Sequence, residues 1–237
     1  MENLMNTSRI YIIALTLLFI ISISSYAKNY YMEIISYTKN SKNESFAINK
    51  FFATPTKLKL EHNNIAFILS KDDKELIYVN NIKKNYLKFI GTSLFALDLI
   101  LPFMVPEKNF QVNSIQSYYD TTKVINSFLC YKTTLTFKNN SKEKPSYLTI
   151  WSTRKINTEY SILDIINSVI KYPFNQIKNL SEQISGFPVL IQGNVIFQDD
   201  YYLVKYELIT IKEINIEDNI FELPANYKSV EFNFHTQ

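Results

Sequence analysis

Apolar and polar residues alternate through much of the segment from Asn29 to Phe89, and short polar stretches interrupt the alternation at close intervals. The alternating sets are Leu58 and Leu60, then Ile65, Phe67 and Leu69, then Leu76 and Tyr78. They are separated by Asn63-Asn64, by residues 71–74 and by Asn80-Asn81. A period of two is typical of a half-buried β-strand, and Asn and Asp tolerate the left-handed backbone angles of tight turns. The pattern therefore predicts a meander of short antiparallel strands.

Two further hairpins are predicted downstream. The first joins residues 127–137 to residues 146–153 and holds the only tryptophan, Trp151. The second joins residues 189–197 to residues 201–213, and it shows the strongest apolar alternation in the chain. Residues 221–234 begin as a loop and are expected to end as an edge strand.

Composition also favours sheet. The chain has 17 Phe and 17 Tyr but only three Gly, and its 46% of hydrophobic residues are enough to build a core. The net charge of +3 is small and the lysines are spread along the chain. A dense basic stripe, the usual face for nucleic acid, is therefore missing, and no nucleic-acid partner is expected.

Two apolar segments have helical rather than strand spacing. In residues 94–105 one face carries Leu94, Leu97 and Leu101, and Pro102 and Pro106 interrupt the segment. In residues 161–172 one face carries Ile162, Ile165, Ile166, Val169 and Ile170, and Pro173 ends it. A short turn through Ile177 and Leu180 is expected to follow. These helices are interpreted either as a lid over a pocket or as a plug that fills one end of the core.

The N-terminus has the three parts of an export signal. Residues 1–9 are polar, residues 10–23 are almost wholly apolar, and Ser25 and Ala27 are small residues at the cleavage point. Fourteen apolar residues are fewer than the roughly 20 that a membrane-spanning helix needs, which argues against an uncleaved anchor. We expect residues 1–27 to be a signal peptide, residues 28–237 to be one β-rich domain without a transmembrane span, and the product to be periplasmic or secreted.

Residues that could perform catalysis are few. His62 and His235 are the only histidines, they have no partner at metal-ligand spacing, and both are expected at the surface. Cys130 is the only cysteine and is expected to be a buried apolar thiol. The acidic pairs at 72–73, 199–200 and 217–218 fall in predicted turns, where solvated carboxylates are usual. The sequence thus predicts no enzyme, no metal and no cofactor.

Three places in the sequence resemble the lipoprotein-carrier (LolA/LolB-like) superfamily, and within it the uncharacterised exported bacterial domains. They are the strands of residues 57–89, the pair formed by residues 128–132 and 149–153, and the stretch from Gly186 to Val189 that leads into the last hairpin and its ending. That ending, Phe221, Pro224 and Tyr227, fits a Phe-x-x-Pro-x-x-Tyr pattern. The resemblance implies an incomplete β-barrel whose concave side is covered by helices and whose hollow receives acyl chains.

The combined expectation is an α+β, mostly antiparallel fold: a strongly curved sheet or incomplete barrel with two or three short helices over its concave side. Its function would be to bind or carry an apolar ligand, with a lipid or lipoprotein acyl chain as partner. The alternative is a non-enzymatic structural or interaction domain of the cell envelope, with a filled core and an envelope protein as partner. The candidate ligand contacts are Leu94, Leu97, Leu101, Phe103, Trp151, Ile162, Ile166 and Val169.

Overall fold

The computed structural model of the chain describes residues 29–90, 112–137, 146–156, 184, 186–197 and 200–230. They contain 12 strands in one sheet. The strands are β1 Tyr30–Lys39, β2 Glu44–Ala53, β3 Lys57–His62, β4 Ile65–Ser70, β5 Glu75–Asn80, β6 Asn85–Ile90, β7 Val112–Ile125, β8 Phe128–Phe137, β9 Ser146–Thr153, β10 Phe187–Phe197, β11 Asp200–Glu213 and β12 Lys228–Ser229. A 3-10 helix spans Asp218–Phe221.

The sheet consists of two meanders joined edge to edge. Its strand order is β12-β6-β5-β4-β3-β2-β1-β11-β10-β9-β8-β7. All neighbours are antiparallel except β12, which pairs with β6 in parallel. Strands β1 and β11 join the two meanders, with Tyr30 opposite Glu213 and Lys39 opposite Leu203. Residues at opposite ends of the described chain therefore lie side by side in the middle of the sheet.

The predicted hairpins are confirmed. The turn between β3 and β4 is Asn63-Asn64, and Asn63 has a left-handed φ of 51°. In the turn between β5 and β6, the side-chain Oδ1 of Asn80 accepts the backbone N–H groups of Ile82 at 3.1 Å and Lys83 at 2.9 Å. Both hairpins predicted downstream, β8–β9 and β10–β11, also form. In the β3–β4 and β5–β6 hairpins, turn chemistry that is local in sequence stabilises the pairing.

The prediction of an α+β fold is wrong. The described residues are 71% strand and 3% helix, and the sheet is open and all-β. The four-residue 3-10 helix is the only helix among them, and within them no helix covers a face of the sheet. Residues 94–105, residues 161–172 and the turn through Ile177 and Leu180, all predicted to be helical, lie outside the described residues. In the part of the chain that is described, no helix is long and apolar enough to cross a membrane.

The two faces of the sheet are buried differently. The face that carries Met32, Phe51 and Leu60, here called the inner face, is apolar and largely buried, and most of its buried residues belong to one large apolar cluster. The opposite face, here called the outer face, holds a second and smaller cluster on β4 and β5. Residues 214–230 cover that smaller cluster, so this segment packs on the outer side of the first meander.

The Phe-x-x-Pro-x-x-Tyr ending has a structural role in this packing. Phe221 is buried on the outer face, and the ammonium of Lys57 lies 5.8 Å from the centre of its ring. The backbone N–H of Tyr227 donates to the carbonyl of Pro224 at 3.0 Å, and its hydroxyl donates to the side chain of Asn81 at 3.0 Å. The motif therefore anchors residues 221–227 beside the turn between β5 and β6 and leads the chain into β12.

Candidate functional site

Inner-face side chains of the first meander form rows that run across its six strands. The pairing register places these residues directly opposite one another. One apolar row consists of Met32, Phe51, Leu60, Phe67, Tyr78 and Leu87, and the next consists of Tyr30, Ala53, Leu58, Leu69, Leu76 and Phe89. Adjacent strands lie ~4.8 Å apart, so each row is roughly 24 Å long. Together the two apolar rows form a continuous apolar surface on β1–β6.

Exposure along the apolar rows increases toward β6. Phe51 is fully buried at 0% exposure and Phe67 is 7% exposed, whereas Tyr78, Leu87 and Phe89 are half-buried. The rings of Phe67 and Tyr78 meet edge to face, with centroids 5.5 Å apart. The β5–β6 end of the apolar rows is therefore the part that an apolar molecule could reach first.

A third row lies beside the apolar rows and is mostly polar. It consists of Ile34, Asn49, His62, Ile65, Asn80 and Asn85. Asn49 and His62 are each 1% exposed, while Asn80 and Asn85 are half-buried. On the inner face, polar side chains of this mixed row therefore lie directly beside a row of purely apolar side chains.

The buried polar groups of the mixed row bond to one another. The side-chain amide of Asn49 donates to the carbonyl of Ile34 at 3.1 Å and to Oγ of Ser36 at 2.9 Å. Its Oδ1 therefore faces Nδ1 of His62 at 2.6 Å, and that nitrogen must carry the proton. Nε2 of His62 then accepts from the amide of Asn63 at 3.2 Å. These contacts describe a neutral imidazole whose orientation is fixed.

The expectation that His62 lies at the surface is wrong. The side chain is 1% exposed and belongs to the Asn49 network. Leu58, Leu60 and His62 follow one another at a period of two, which is a sequence signal that His62 shares their face. The other histidine, His235, lies outside the described residues.

The predicted ligand contacts are mostly outside the described part of the chain. This holds for Leu94, Leu97, Leu101, Phe103, Ile162, Ile166 and Val169. Trp151 is described: it is half-buried in β9, opposite Lys132 and Leu190. Side chains alternate along a strand, so it points away from the side of Ile150, which is on the inner face. Trp151 packs against the large apolar cluster, but it lies outside the two apolar rows of β1–β6.

Trp151 lies instead near the turn between β7 and β8, on the outer face. The ammonium of Lys123 is 5.9 Å from the centre of its ring. The side-chain amide of Asn126, in that turn, donates to the carbonyl of Leu208 at 2.7 Å and to a carboxylate oxygen of Glu207 at 3.2 Å. Because β9 and β10 separate β8 from β11, the turn must fold over the sheet to make these bonds. Hydrogen bonding from Lys205 is the main cause of the lowered pKa of Glu207.

The described residues contain no group of three or more His, Cys, Asp and Glu side chains that could hold a metal. The carboxylate of Asp73 accepts a hydrogen bond from Ser70 at 2.6 Å within the turn between β4 and β5. Asp218 forms an ion pair with Lys57 at 3.5 Å. The carboxylate of Asp73 thus bonds within its own turn, whereas that of Asp218 pairs with a distant strand. Asp199 lies outside the described residues.

The prediction for Cys130 is confirmed, since its thiol is buried in the large apolar cluster. Burial raises the pKa of this thiol to about 11. Because only the thiolate reacts, and an unfolded thiol has a pKa of about 8.5, alkylation by iodoacetamide at pH 8 is expected to be on the order of 100-fold slower in the native protein. Mass spectrometry of native and urea-denatured samples checks this; equal rates would mean that the thiol is accessible.

Comparisons with known proteins identify similar folds at low identity. No family model matches the chain, and no curated protein is similar to it. The similar solved structures include PNGF-II, with 11% identity and a TM-score of 0.38, covering 85% of this chain and 30% of that one. The chain thus spans about a third of the length of that protein.

Two smaller proteins match over nearly their whole length. A DUF1329 family protein from Desulfovibrio piger has 8% identity and a TM-score of 0.36, covering 91% of this chain and 97% of that one. A LolA superfamily protein from Nitrosomonas europaea has 10% identity and a TM-score of 0.32, covering 88% and 97%. The similar structures therefore include the superfamily that the sequence motifs resemble.

Proposed function

We propose that the protein is an exported binding or carrier module for an amphipathic ligand with a long apolar chain, such as an acyl chain, which packs against the inner face of β1–β6. The observation that carries this proposal is the pair of apolar rows, which extends across six strands and ends in half-buried side chains. Apolar surfaces of this kind, with a few polar groups beside them, are typical of small-molecule sites. The apolar chain would lie along the rows and enter beside Tyr78, Leu87 and Phe89.

The mixed row would orient the ligand. Asn80 and Asn85 are half-buried at the same end as Leu87, one row away from it. A polar head group could hydrogen-bond there without losing its contact with water, whereas an apolar chain could not make use of those amides. The proposal therefore concerns a ligand with one polar end, rather than a wholly apolar molecule.

The export signal is part of the same proposal. Residues 1–27 would be removed as a signal peptide, and residues 28–237 would act as one domain in the periplasm. The order of a polar start, an apolar stretch at residues 10–23 and small residues at 25 and 27 supports this. An acyl-chain carrier is useful in such a compartment, because a free acyl chain is poorly soluble in water.

A second candidate is a non-enzymatic interaction or structural domain of the cell envelope. The observation that favours it is the complete burial of Met32 and Phe51, at 1% and 0% exposure, in the β1–β2 part of the apolar rows. If that burial continued along the whole row, the inner face would be core rather than binding surface. The two candidates differ at the β5–β6 end, so the experiment addresses that end.

We expect Leu87→Lys to weaken the uptake of a fluorescent fatty acid by about 10-fold, because an ammonium group would replace roughly 1.4 kcal/mol or more of apolar contact. Ile90→Lys is the matched control, since Ile90 lies on the same strand, points to the outer face and is 67% exposed. Titration of the purified variants measures the difference, with circular dichroism as a check on folding.

Native mass spectrometry of protein isolated from its own periplasm provides the independent test. Bound lipid in the wild type, and less in Leu87→Lys, is the expected result. Repeated absence of any bound lipid, together with no uptake of the fatty acid by the wild type, would refute the binding proposal and favour the second candidate.

A further inference from the structure

The edge of β6 from Leu87 to Ile90, here called the open edge, has no partner among the described strands. β12 covers β6 only at Asn85 and Tyr86. β6 itself continues to Ile90 with no register shift against β5. β12 is the last strand on this side of the described sheet. The open edge is therefore regular, and it can accept a further strand.

The hydrogen bonds of β12 show which backbone groups of β6 face the open edge. The N–H of Lys228 donates to the carbonyl of Lys84 at 3.0 Å. The N–H of Val230 donates to the carbonyl of Tyr86 at 2.9 Å. Because backbone groups alternate in direction along a strand, the carbonyl of Lys88 is the next acceptor on that side. The chain already runs along β6 at Val230, toward this acceptor.

The sequence after β12 matches the inner face of β6. Residues 230–234 read Val-Glu-Phe-Asn-Phe, with an apolar residue at every second position, as in a strand with one apolar face. Continued by one residue at a time, the β12 register places Val230 opposite Leu87 and Phe232 opposite Phe89. Both apolar side chains would then lie on the inner face, each at the end of one apolar row.

The charges on the outer face match as well. Lys88 lies on that face, opposite Ile77 of the smaller cluster, and its side chain is 42% exposed. The same register places Glu231 opposite Lys88. Lys88 already forms an ion pair with Glu75 of β5, so a second carboxylate would reach it from the open side. Opposite charges on directly opposed residues stabilise a strand pair.

We propose that residues 231–234, here called the extension, continue β12 along the open edge as a parallel strand. These residues lie outside the described part of the chain. With them the two apolar rows would span seven strands instead of six. In so far as the proposal rests on the proposed function, Phe232 is a further contact for the apolar chain of the ligand, at the end where that chain enters.

The extension is favoured over a strand of another molecule because it is tethered. Val230 is already bonded to β6, so the effective concentration of the next residues at the open edge is far above that of a free partner. A second copy of β6, pairing antiparallel about Lys88, would instead bring two like charges together.

Hydrogen exchange of the purified protein, followed by NMR, tests the strand without any ligand. The N–H of Phe232 should exchange on the order of 10-fold or more slowly than those of Glu231 and Asn233, because it alone would donate to a carbonyl of β6, that of Lys88. Equally fast exchange at the three positions would overturn the proposal.

Removal of residues 231–237 tests the same ladder from the side of β6. The N–H of Ile90 would donate to the carbonyl of Phe232, so its exchange should become faster in the shortened protein. The N–H of Phe89 is the control, because the same alternation directs it to β5 and its exchange should not change. If the Ile90 amide kept its protection, or had none in the full chain, the extension would not occupy the open edge.

Cysteine cross-linking tests the register. In Ile90→Cys with Asn233→Cys the two residues would be opposed on the outer face, with Cα atoms about 4.8 Å apart, within reach of a disulfide. In Ile90→Cys with Glu231→Cys the face is the same but the separation would be about 8 Å, which is too long. The native Cys130 is buried and should not compete.

Mild oxidation should therefore close an intramolecular disulfide in the first pair and much less of it in the second. Equal yields would contradict the register. A disulfide-linked dimer of the first pair would mean that the extension of a second copy occupies the open edge, and this too would overturn the proposal.

Uptake of the fluorescent fatty acid tests the role of Phe232. Phe232→Ser should weaken uptake about 5-fold or more, because it removes apolar contact at the end of a row, whereas Asn233→Ser on the outer face should not. Equal uptake by the two variants would overturn that role. If the wild type took up no fatty acid but kept the slow exchange at Phe232, the proposed function would fail and the extension of β12 would stand.

Discussion

Gly193→Ala is expected to lower the free energy of unfolding by about 3 kcal/mol or more. Gly193 lies in β10 between Leu148 of β9 and Val204 of β11. A Cβ atom at this position would lie 2.9 Å from Cα of Leu148 and closer still to the carbonyl oxygen of Tyr147. Both are backbone atoms of a paired strand, so β9 would have to move.

Asn194→Ala is the control for this prediction. Asn194 follows Gly193 in the same strand but points to the other face, and its amide makes an exposed hydrogen bond of 3.3 Å to the hydroxyl of Tyr147. Its substitution is expected to change stability by less than about 0.5 kcal/mol, as for most surface changes. Urea denaturation followed by circular dichroism measures both variants. Equal unfolding midpoints would show that β9 and β10 do not approach as closely as the structure places them.

The sequence predicts those parts of the fold that depend on neighbouring residues. Asn63 is an example: an Asn between two alternating apolar runs indicates a left-handed turn residue, and its φ is 51°. The hairpins β8–β9 and β10–β11 follow from the same kind of signal. The Phe221 motif was recognised as an ending, although its packing on the outer face of β4 and β5 could not be read from the pattern.

Pairing between distant segments could not be predicted in the same way. Strand β1 pairs with β11 across more than 160 residues, and no local residue pattern encodes this contact. Strand β7 was missed because its sequence is mostly polar and has little alternation, as befits an exposed edge. The described fold is all-β because every long element among the described residues is a strand. The segments with helical spacing lie outside those residues.

The sequence predicts only part of the candidate site. Leu58, Leu60, Phe67, Leu69, Leu76 and Tyr78 stood out by their alternation, yet alternation alone places residues on a face without showing which strands lie side by side. Only the register aligns Phe67 with Tyr78 and Tyr78 with Leu87. The sequence therefore predicts ligand contacts in the apolar helical segments and at Trp151, and it gives no sign that the rows on the sheet are more than ordinary strand faces.

The buried polar residues of the mixed row lead to the second large prediction. Asn49→Leu is expected to lower the free energy of unfolding by about 2–4 kcal/mol, because several buried polar groups lose a partner at once. Nδ1–H of His62 loses its acceptor at 2.6 Å, and Oγ of Ser36 loses a donor at 2.9 Å. Leucine is close to asparagine in size, so the loss would arise from unsatisfied polarity rather than from a cavity.

Asn63→Gly is the control for Asn49→Leu, because it changes the exposed end of the same hydrogen-bond network. Glycine keeps the left-handed backbone angle of Asn63 and removes only its 3.2 Å hydrogen bond to Nε2 of His62, so a change below about 0.5 kcal/mol is expected. Urea denaturation of both variants at pH 7.5 gives the comparison, since the imidazole in this arrangement is neutral. If Asn49→Leu were as stable as Asn63→Gly, the Asn49 amide would not be what holds His62 in place, and the mixed row could accept an apolar side chain at its buried centre.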